Sequence, residues 1–440
     1  MTTAAPPHRI DPQTIAEELL EARARTLLLV APLTDAELRL QQDPLMSPIL
    51  WDLGHIGHFE ELWLTRNLDG PIEFVEMPGM YNPFEHPRSK RGTLPLPGLP
   101  RVREVLDEIR GRVLARLAAL DPGADTPLLR DGYVYRMVLQ HEYQHNETIL
   151  QTLQLKQGAP YVPYARFELP EAAPRPTPMG AMVRFPGGRV ELGTDDRSAA
   201  YDNERPRHAV EVAPFRIDVN PVTNGDFLVF IAAGGYATRE YWSEAGWRWL
   251  TESGASAPKH WEWRDGAWLG RVMDRVGPVD PSHPVCHVCW YEAEAYARFA
   301  GKRLPTEIEW ETAASWDPAA GAARPFPWGE ARPTRHLANV DQLGFGTAPV
   351  GAYPQNVSPL GCAGMIGDVW EWTASDFGPW PGFESFPYPE YSEAFFGGEY
   401  KVLRGGSWAT RPGAVRNSFR NWDYPVRRQI FSGFRCARDD

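Results

Sequence analysis

The sequence predicts an α+β protein of two domains, a four-helix bundle followed by a turn-rich domain with short strands. A proline-rich segment at residues 169–180 separates the two parts. Fifteen of the 17 tryptophans lie between Trp242 and Trp422, so the aromatic content divides the chain in the same way. Because 440 residues are enough for two cores, we expect a bundle at residues 1–168 and a second domain at residues 181–440.

Four stretches with helical periodicity occupy the first part. Their expected bounds are residues 11–30, 47–67, 100–120 and 131–157. Helices of this length pack as an antiparallel bundle, a scaffold that often holds metal ions between facing helices. Ser47 and Pro48 predict the start of the second helix, as the N-cap and the first helical residue. The connection between the second and third helices is long, and such loops are often functional. Its basic run at residues 86–91 is equally typical of a solvated surface loop, so both interpretations stay open.

The second part alternates short apolar segments with glycine, proline and asparagine turns, which is typical of short strands. Helices are expected at residues 224–233, 291–300 and 306–315. The segment Pro284–Trp290 predicts a buried strand, on which positions three apart face opposite sides. Cys286 and Cys289 are therefore expected to be two packed thiols rather than half of a metal site.

Charge and hydropathy exclude several classes of partner. The net charge of −12 and the lack of a long basic run argue against a nucleic acid or an anionic membrane. No apolar stretch approaches the roughly 18 residues of a membrane span, and the first residues lack the apolar core of a signal peptide. We expect a cytoplasmic protein that binds small molecules; its oligomeric state does not follow from the sequence.

The segment Gln140-His141-Glu142-Tyr143-Gln144-His145 carries the strongest chemical signal. Histidines four apart on a helix point in the same direction and can bind one metal ion. They fall on the inward stripe of the fourth predicted helix, where an unpartnered polar group costs roughly a few kcal/mol. The two imidazoles must therefore be hydrogen-bonded to neighbours or bound to a ligand.

The second predicted helix supplies candidates for a third ligand, His55 or His58, which lie on one face. The spelling H-E-x-x-H also occurs in zinc proteases. Those proteins have a third ligand soon afterwards, whereas here no histidine follows until His208. The protease interpretation is therefore disfavoured, and core histidines satisfied by neighbouring side chains remain the alternative to a metal site.

Six phrases of the second part resemble the formylglycine-generating enzymes, the sulfatase-modifying-factor family. They are Phe185–Gly193, Pro221–Asn224, Gly301–Glu311, Gly367–Thr373, Arg404–Trp408 and Gly433–Cys436. The resemblance implies a C-type-lectin-like fold. Members that generate formylglycine bind copper with two cysteines, and this sequence has only Cys436 in the corresponding region. Formylglycine generation is therefore kept only as an alternative.

The first part resembles the DinB-like metal-binding bundle, through Asp52-Leu-Gly-His-Ile-Gly57 and residues 140–145. In this order the two parts resemble the ergothioneine-pathway sulfoxide synthases over essentially the whole chain. Members are non-haem Fe(II) enzymes that use dioxygen to join a thiol to imidazole C2 of N-alpha-trimethylhistidine (hercynine), forming a sulfoxide. The resemblance implies that the iron ligands are His55, His141 and His145. Three neutral nitrogens would leave positions for both substrates and dioxygen.

The same resemblance implies which residues bind the substrates. The carboxylates of gamma-glutamylcysteine suit guanidinium groups, and its ammonium suits an acid. The matching residues for this thiol are Arg88, Arg91 and Asp423. The trimethylammonium of hercynine suits aromatic faces and oriented acceptors. The matching residues for hercynine are Gln144, Tyr391, Asn421 and Trp422. Tyr388 matches the family's proton donor.

Several alternatives remain open at this point. The thiol donor is gamma-glutamylcysteine or free cysteine, although Arg88 and Arg91 favour the former. Sister enzymes of the same architecture act on histidine and cysteine or use a selenium donor; the histidine-acting one usually carries a C-terminal methyltransferase domain, which this sequence does not show. A non-catalytic scaffold with a structural metal would share the fold. Asn339 and Asp341 are the candidate ligands of a structural Ca²⁺.

Overall fold

The computed structural model describes residues 10–70, 77–170 and 180–440, and the chain divides into two compact units. The helical unit comprises the described residues up to Tyr164 together with Asp196–Ala199. The sheet unit comprises the described residues of Ala165–Asp195 and Ala200–Asp440. The domain boundary expected after residue 168 lies close to this division, and most of the expected linker, residues 171–179, lies outside the described residues.

The helical unit is built from four long helices and two short ones in its described residues. They are α1 (Pro12–Val30), α2 (Asp35–Arg39), α3 (Ile49–Leu64), α4 (Met77–Tyr81), α5 (Leu99–Ala118) and α6 (Tyr133–Leu155). Helix α3 packs against α5 and α6, and α1 packs against the same two helices. This packing confirms the predicted four-helix bundle. No helix in the described part of the chain is long and apolar enough to cross a membrane.

The start of α3 differs from the prediction. Pro48 precedes the first helical residue, Ile49, and no side chain caps the helix. The hydroxyl of Ser47 instead accepts a hydrogen bond from Arg91 Nη1 at 2.8 Å. The predicted N-cap at Ser47 is therefore wrong, because a buried guanidinium occupies the oxygen that a cap would use.

Two glycines inside α3 let neighbouring segments approach the helix axis. A Cβ on Gly54 would overlap the ring of Tyr81, and a Cβ on Gly57 would lie 2.7 Å from Leu106 of α5. Glycine inside a helix costs about 0.5–1 kcal/mol relative to alanine. The close packing explains why glycine is used here, and it brings the backbone of Tyr81 to α3.

The sheet unit combines four helices with short strands in its described residues. The helices are α7 (Asn224–Ala232), α8 (Glu244–Ser253), α9 (Trp290–Phe299) and α10 (Glu307–Ser315). The strands are β1 (Met182–Phe185), β2 (Gly188–Leu192), β3 (His208–Val212), β4 (Phe215–Asp218), β5 (Trp261–Arg264), β6 (Ala267–Val272), β7 (Arg275–Pro278), β8 (Trp316–Asp317), β9 (Ala322–Ala323), β10 (Trp370–Phe377), β11 (Gly397–Arg404), β12 (Asn421–Asp423), β13 (Ser432–Gly433) and β14 (Ala437–Asp439). Helix α8 was not predicted, although Ser243 as its N-cap and left-handed Gly254 after its last turn mark both ends.

The first and last strands of the sheet unit belong to the same sheet. Strands β1 and β14 flank β4 in a three-stranded antiparallel sheet. A four-stranded sheet has the order β12-β11-β10-β13, in which β10 and β13 are parallel and the other pairs antiparallel. Strand β12 forms one edge of this sheet. It carries three of the residues predicted to bind substrates.

The segment Pro284–Trp290 is not a strand, contrary to the prediction. Pro284 makes an isolated bridge with Thr223, and the chain then turns at His287, whose φ is 65°. Cys289 instead precedes α9 and forms a capping box with a residue of its first turn. The apolar run was misread because buried residues before a helix look like a strand in sequence. All four cysteines of the chain are free thiols.

Candidate functional site

Three histidines from two helices of the bundle converge. His55 lies on α3, while His141 and His145 lie one turn apart on α6. A ring nitrogen of each lies within 4.8 Å of those of the other two. In the described part of the chain, this is the one group of three or more histidine, cysteine or acidic side chains with the spacing of a metal site. The predicted ligands are thus together, and His58 is outside the group.

The surroundings of His55 determine which of its nitrogens faces the other two rings. Its Nδ1 donates a hydrogen bond to the backbone carbonyl of Tyr81 at 2.8 Å, because a carbonyl oxygen can only accept. The neutral ring then has a bare Nε2, which lies 3.2 Å from Nε2 of His141. Two imidazoles bound to one metal at about 2.1 Å would have their nitrogens about 3 Å apart at right angles. The observed spacing therefore fits a shared metal ion.

Aromatic rings support two of the imidazoles. Trp51 stacks on His55 with ring centroids 4.8 Å apart and planes 13° from parallel. Phe59 stacks on His141 at 3.7 Å and 12°. Trp51, His55 and Phe59 follow one another four residues apart on α3, so one stripe of this helix supplies a predicted ligand and both supporting rings. These supporting rings were not predicted, although their four-residue spacing is visible in the sequence.

Two of the imidazoles, those of His55 and His141, lie in surroundings that favour the neutral form, which is the form that binds a metal ion. Burial and the neighbouring His145 lower the pKa of His55 well below its ordinary value. Burial and the imidazoles of His145 and His55 have the same effect on the pKa of His141. His55 is buried, whereas His141 and His145 are only partly buried. One side of the group is therefore accessible, and the half-buried Gln144 lies on the same helix beside it.

The glutamate of the H-E-x-x-H spelling is engaged in a buried ion network. Glu142 accepts hydrogen bonds from Arg23 Nε at 2.9 Å and from the hydroxyl of Thr26 at 2.7 Å. It also pairs with Arg110 at 3.2 Å, and Glu60 of α3 pairs with the same two arginines. A zinc protease uses this glutamate as a base beside its metal. Because the carboxylate of Glu142 is occupied by the network, the structure argues against the protease interpretation, as expected.

The two arginines predicted to bind the thiol lie in a 3₁₀ turn that begins at Arg88. Arg88 is exposed and Arg91 is buried. The guanidinium carbon of Arg91 lies 3.5 Å from the ring centroid of Trp51, and its Nε donates to the carbonyl of His86 at 2.9 Å. Burial and the neighbouring Arg88 lower the pKa of Arg91 to about 10, so it stays charged at neutral pH. Arg91 thus supports the ring that stacks on His55, and its contact with the thiol stays a prediction.

In the sheet unit, three residues predicted to act on hercynine form part of an aromatic cluster. Tyr391 lies edge-on to Trp422 with centroids 6.0 Å apart, and Trp422 stacks on Phe377 at 4.1 Å. Tyr388 lies edge-on to Tyr391 at 6.2 Å. Both tyrosines and Trp422 are half-buried. Aromatic faces grouped in this way suit a quaternary ammonium group.

The loop that carries both tyrosines is anchored by a buried carboxylate. Asp202 accepts a hydrogen bond from the backbone N–H of Phe386 at 3.1 Å and another from the hydroxyl of Ser392. Tyr201, in the same turn, stacks on Tyr391 at 4.2 Å. The role of this turn was not predicted, because Asp202 and Ser392 are 190 positions apart in the sequence. The anchor holds the loop on both sides of the tyrosines.

The remaining predicted residues lie on β12. The Oδ1 atom of Asn421 accepts a hydrogen bond from the backbone N–H of Trp422 at 2.9 Å. The Oδ1 atom of Asp423 accepts one from the backbone N–H of Tyr424 at 2.8 Å and lies 3.2 Å from Arg427 Nε. Asp423 is therefore already paired with a guanidinium. Its role with a substrate ammonium stays a prediction.

The cysteines give no support to formylglycine generation. Burial and the neighbouring Asp218 raise the pKa of the Cys436 thiol well above its ordinary value. Burial raises the pKa of Cys362 to about 11. Copper is bound by the deprotonated thiolate, which both environments disfavour.

The candidate calcium ligands are engaged by protein groups. The carboxylate of Asp341 pairs with Arg411 at 2.6 Å, and the amide of Asn339 donates to Asp368 at 2.7 Å. These contacts do not test calcium binding, and the structural Ca²⁺ stays a prediction.

A three-histidine group in a helical bundle, followed by a sheet unit with an aromatic cluster, defines a two-part metalloprotein with the means to bind small molecules. Family models match both parts of the chain. The model described as "DinB superfamily" matches residues 18–149, and the one described as "Sulfatase-modifying factor enzyme 1-like domain" matches residues 166–440. The predicted fold class, a DinB-like bundle followed by a formylglycine-generating-enzyme-like domain, is confirmed.

Relatives that match the whole chain are more specific. The hercynine oxygenase of Mycolicibacterium thermoresistibile is 48% identical over 452 residues, covering 100% of this chain and 97% of that protein. The hercynine oxygenase of Mycobacterium tuberculosis is 49% identical over 436 residues, covering 97% and 99%. The formylglycine-generating enzyme of Thermomonospora curvata is 34% identical but matches only 63% of this chain. The chain belongs to the hercynine oxygenase family.

Proposed function

We propose that this protein is an iron(II)-dependent sulfoxide synthase of ergothioneine biosynthesis, which joins the thiol of gamma-glutamylcysteine to C2 of hercynine. The observation that carries the proposal is the group of three converging histidines, two of them only partly buried, in a chain of this family. In the overall reaction a C–H and an S–H bond break, a C–S bond forms, and dioxygen supplies the sulfoxide oxygen and one water. Dioxygen accepts four electrons, two from C–S bond formation and two from oxidation of the sulfur.

His55, His141 and His145 would hold the iron. Their donors are three imidazole nitrogens, and two of the rings are fixed by stacking on Trp51 and Phe59. When bound, iron(II) supplies the redox chemistry that activates dioxygen, with coordination positions that three protein ligands leave open. The lowered pKa values of His55 and His141 support this assignment, because a protonated imidazole has no lone pair to offer.

The charged residues of the 3₁₀ turn would bind the thiol substrate. Arg88 and Arg91 supply two positive charges for the two carboxylates of gamma-glutamylcysteine. Free cysteine has one carboxylate and would pair with only one of the arginines. Asp423 would accept the substrate ammonium. Carboxylate recognition by arginine is geometrically specific, which favours gamma-glutamylcysteine as the donor.

We expect Arg88→Gln to raise the KM for gamma-glutamylcysteine by roughly 10- to 100-fold, since a hydrogen bond to a charged group contributes about 1.5–3 kcal/mol. The KM for hercynine should not change. Arg88 is preferable to Arg91 for this test because it is exposed, whereas Arg91 is buried against Trp51. Steady-state kinetics with each substrate varied in turn measure the effect. Lys90→Gln, an exposed charge of the same turn, is the control; an equal effect in both variants would contradict a specific role for Arg88.

The aromatic cluster of the sheet unit would bind hercynine. The half-buried faces of Trp422 and Tyr391 offer a cation–π surface for the trimethylammonium group, which cannot donate a hydrogen bond. Asn421 and Gln144 would add oriented polar contacts. Tyr388 would donate a proton during reduction of dioxygen, because a phenol can supply a proton without carrying a charge in its resting form.

We expect Tyr388→Phe to keep both KM values and to lower the rate of C–S bond formation by roughly 10²- to 10⁴-fold, the usual contribution of a general acid. The ring, and with it the contact with Tyr391, is retained, so a fall in rate would report the hydroxyl. Rapid-quench measurement of sulfoxide formation is the appropriate assay. Tyr241→Phe, which removes a hydroxyl from a half-buried ring elsewhere in the unit, is the control. Unchanged product formation by Tyr388→Phe would refute the assignment.

The proposed function is tested by a product assay. The protein is loaded anaerobically with Fe(II), mixed with hercynine and gamma-glutamylcysteine, and exposed to air, and the products are analysed by mass spectrometry. A conjugate of the two substrates with one added oxygen is expected. Conversion only of histidine with cysteine, or only of a selenium donor, would identify a sister enzyme. Bound iron with untouched substrates in every combination would indicate a non-catalytic scaffold.

A further inference from the structure

A buried carboxylate lies beside the histidine group on α3. Asp52 is 1% exposed, and its Oδ1 lies 3.3 Å from Nδ1 of His145. The two atoms are at ion-pair distance but are not aligned as a hydrogen bond. Within the described residues, neither His145 Nδ1 nor the second oxygen of Asp52 has a hydrogen-bond partner. Burying such groups is costly, and the packing of the bundle alone gives no reason for a carboxylate here.

Asp52 is not one of the converging ligands. In the described part of the chain, the group with mutual distances within 4.8 Å consists of the three histidines and excludes this carboxylate. Because Nδ1 of His145 faces Asp52, Nε2 is the nitrogen left for a metal ion. His55 has the same arrangement, since its Nδ1 faces the carbonyl of Tyr81.

We propose that Asp52 is a positioning residue of the metal centre. Once a small rotation of the imidazole aligns the two atoms, the Oδ1 of Asp52 accepts a hydrogen bond from the N–H at Nδ1 of His145. This bond fixes the tautomer whose Nε2 carries the free lone pair, and it sets the plane of the ring. Metal-binding histidines commonly donate their second N–H to a carboxylate or a carbonyl in this way. The inference rests on the three-histidine metal centre of the proposed function.

The surroundings of Asp52 suit a negative charge. It lies in the first turn of α3, where the helix dipole favours an anion. The negative charge of Asp52 stabilises the positive charge of the buried Arg91 guanidinium. A carboxylate behind one imidazole also makes that ring a stronger donor. His145 would therefore differ electronically from His55, whose Nδ1 faces a neutral carbonyl.

The test is an anaerobic titration of the full-length protein with Fe(II) in competition with a chelator. Asp52→Asn is expected to weaken iron binding by roughly 10- to 100-fold, because an amide no longer selects the required tautomer. Asp52→Glu, which keeps the charge, should recover most of the affinity. Glu61→Gln is the matched control: it removes another buried carboxylate of α3, one that pairs with Arg112 at 2.7 Å. This control should lose stability without losing iron affinity.

A second measurement does not depend on the variant folding. In the zinc-loaded wild-type protein labelled with ¹⁵N-histidine, long-range proton–nitrogen correlation should place the proton of His145 on Nδ1 and the metal on Nε2. The opposite tautomer, or iron affinity of Asp52→Asn equal to that of the wild type, would overturn the role of Asp52 alone. A wild-type protein that binds neither metal would instead overturn the metal centre.

Discussion

His141→Ala is expected to abolish sulfoxide formation, because it removes one of three ligands from the centre. Loss of a residue that merely orients a ligand costs about 10- to 100-fold in metal affinity, so loss of a ligand should cost more than about 100-fold. The substitution removes Nε2 of His141, which lies 3.2 Å from Nε2 of His55. Metal analysis after gel filtration, with circular dichroism to verify folding, measures the effect.

His58→Ala provides the matched control for this prediction. His58 lies three residues after His55 on the same helix and is half-buried, as His141 is, but it is outside the group of converging ring nitrogens found in the described residues. We expect this variant to bind iron and form product as the wild type does. If His58→Ala lost the metal while His141→Ala kept it, the ligand assignment would be wrong.

Glu142→Gln is expected to lower the free energy of unfolding of the metal-free protein by about 3 kcal/mol, near the lower end of the cost of breaking a buried ion pair. The change leaves Arg23 and Arg110 with Glu60 as their shared anionic partner in the network. Urea denaturation of the metal-free proteins measures the loss. The folded variant should still bind one iron per chain, because the carboxylate is bound to arginines and not to the metal.

The contribution of Glu142 to the free energy of unfolding should also depend on pH. Burial alone would raise the pKa of Glu142, but Arg23 and Arg110 hold that pKa below its ordinary value. A carboxylate with a lowered pKa in the folded state contributes its full stability above the ordinary value, about 4.3, and loses it as the pH falls through the folded-state pKa. The wild type should therefore lose more stability on acidification than Glu142→Gln.

Glu104→Gln is the control for the Glu142 experiments, since Glu104 pairs with Arg101 at the surface. Exposed ion pairs contribute about 0–1 kcal/mol, so this variant should unfold almost as the wild type does. An unfolding free energy of Glu142→Gln equal to that of Glu104→Gln, together with loss of iron, would mean that Glu142 supports the metal and not the arginine network.

The sequence was a good guide where a signal repeats along the chain. The bundle helices followed from apolar periodicity, and the convergence of two histidines of α6 followed from their spacing of four residues. The sequence failed where a contact decides between two local options. Ser47 is a residue type that often caps a helix, but Arg91, which is distant in sequence, donates a hydrogen bond to its hydroxyl oxygen. The run before α9 has the composition of a buried strand, but it leads into a helix.

The candidate site shows the same division. Helical periodicity did not distinguish His55 from His58, and only the family resemblance favoured His55. In the structure His55 lies with His141 and His145. The roles of Glu142 and Asp52 could not be derived from spacing, because each depends on which side chain another helix presents. Arg91 was assigned to the substrate by its charge, whereas its burial and its stacking on Trp51 emerge only from the fold.

A single-turnover reaction with hercynine deuterated at imidazole C2 and with ¹⁸O-labelled dioxygen tests the proposed reaction most directly. Replacement of the C2 hydrogen by sulfur predicts a conjugate with gamma-glutamylcysteine that has lost the deuterium and gained one ¹⁸O atom. A conjugate that keeps the deuterium, or a labelled reaction that yields only oxidised thiol, would contradict it.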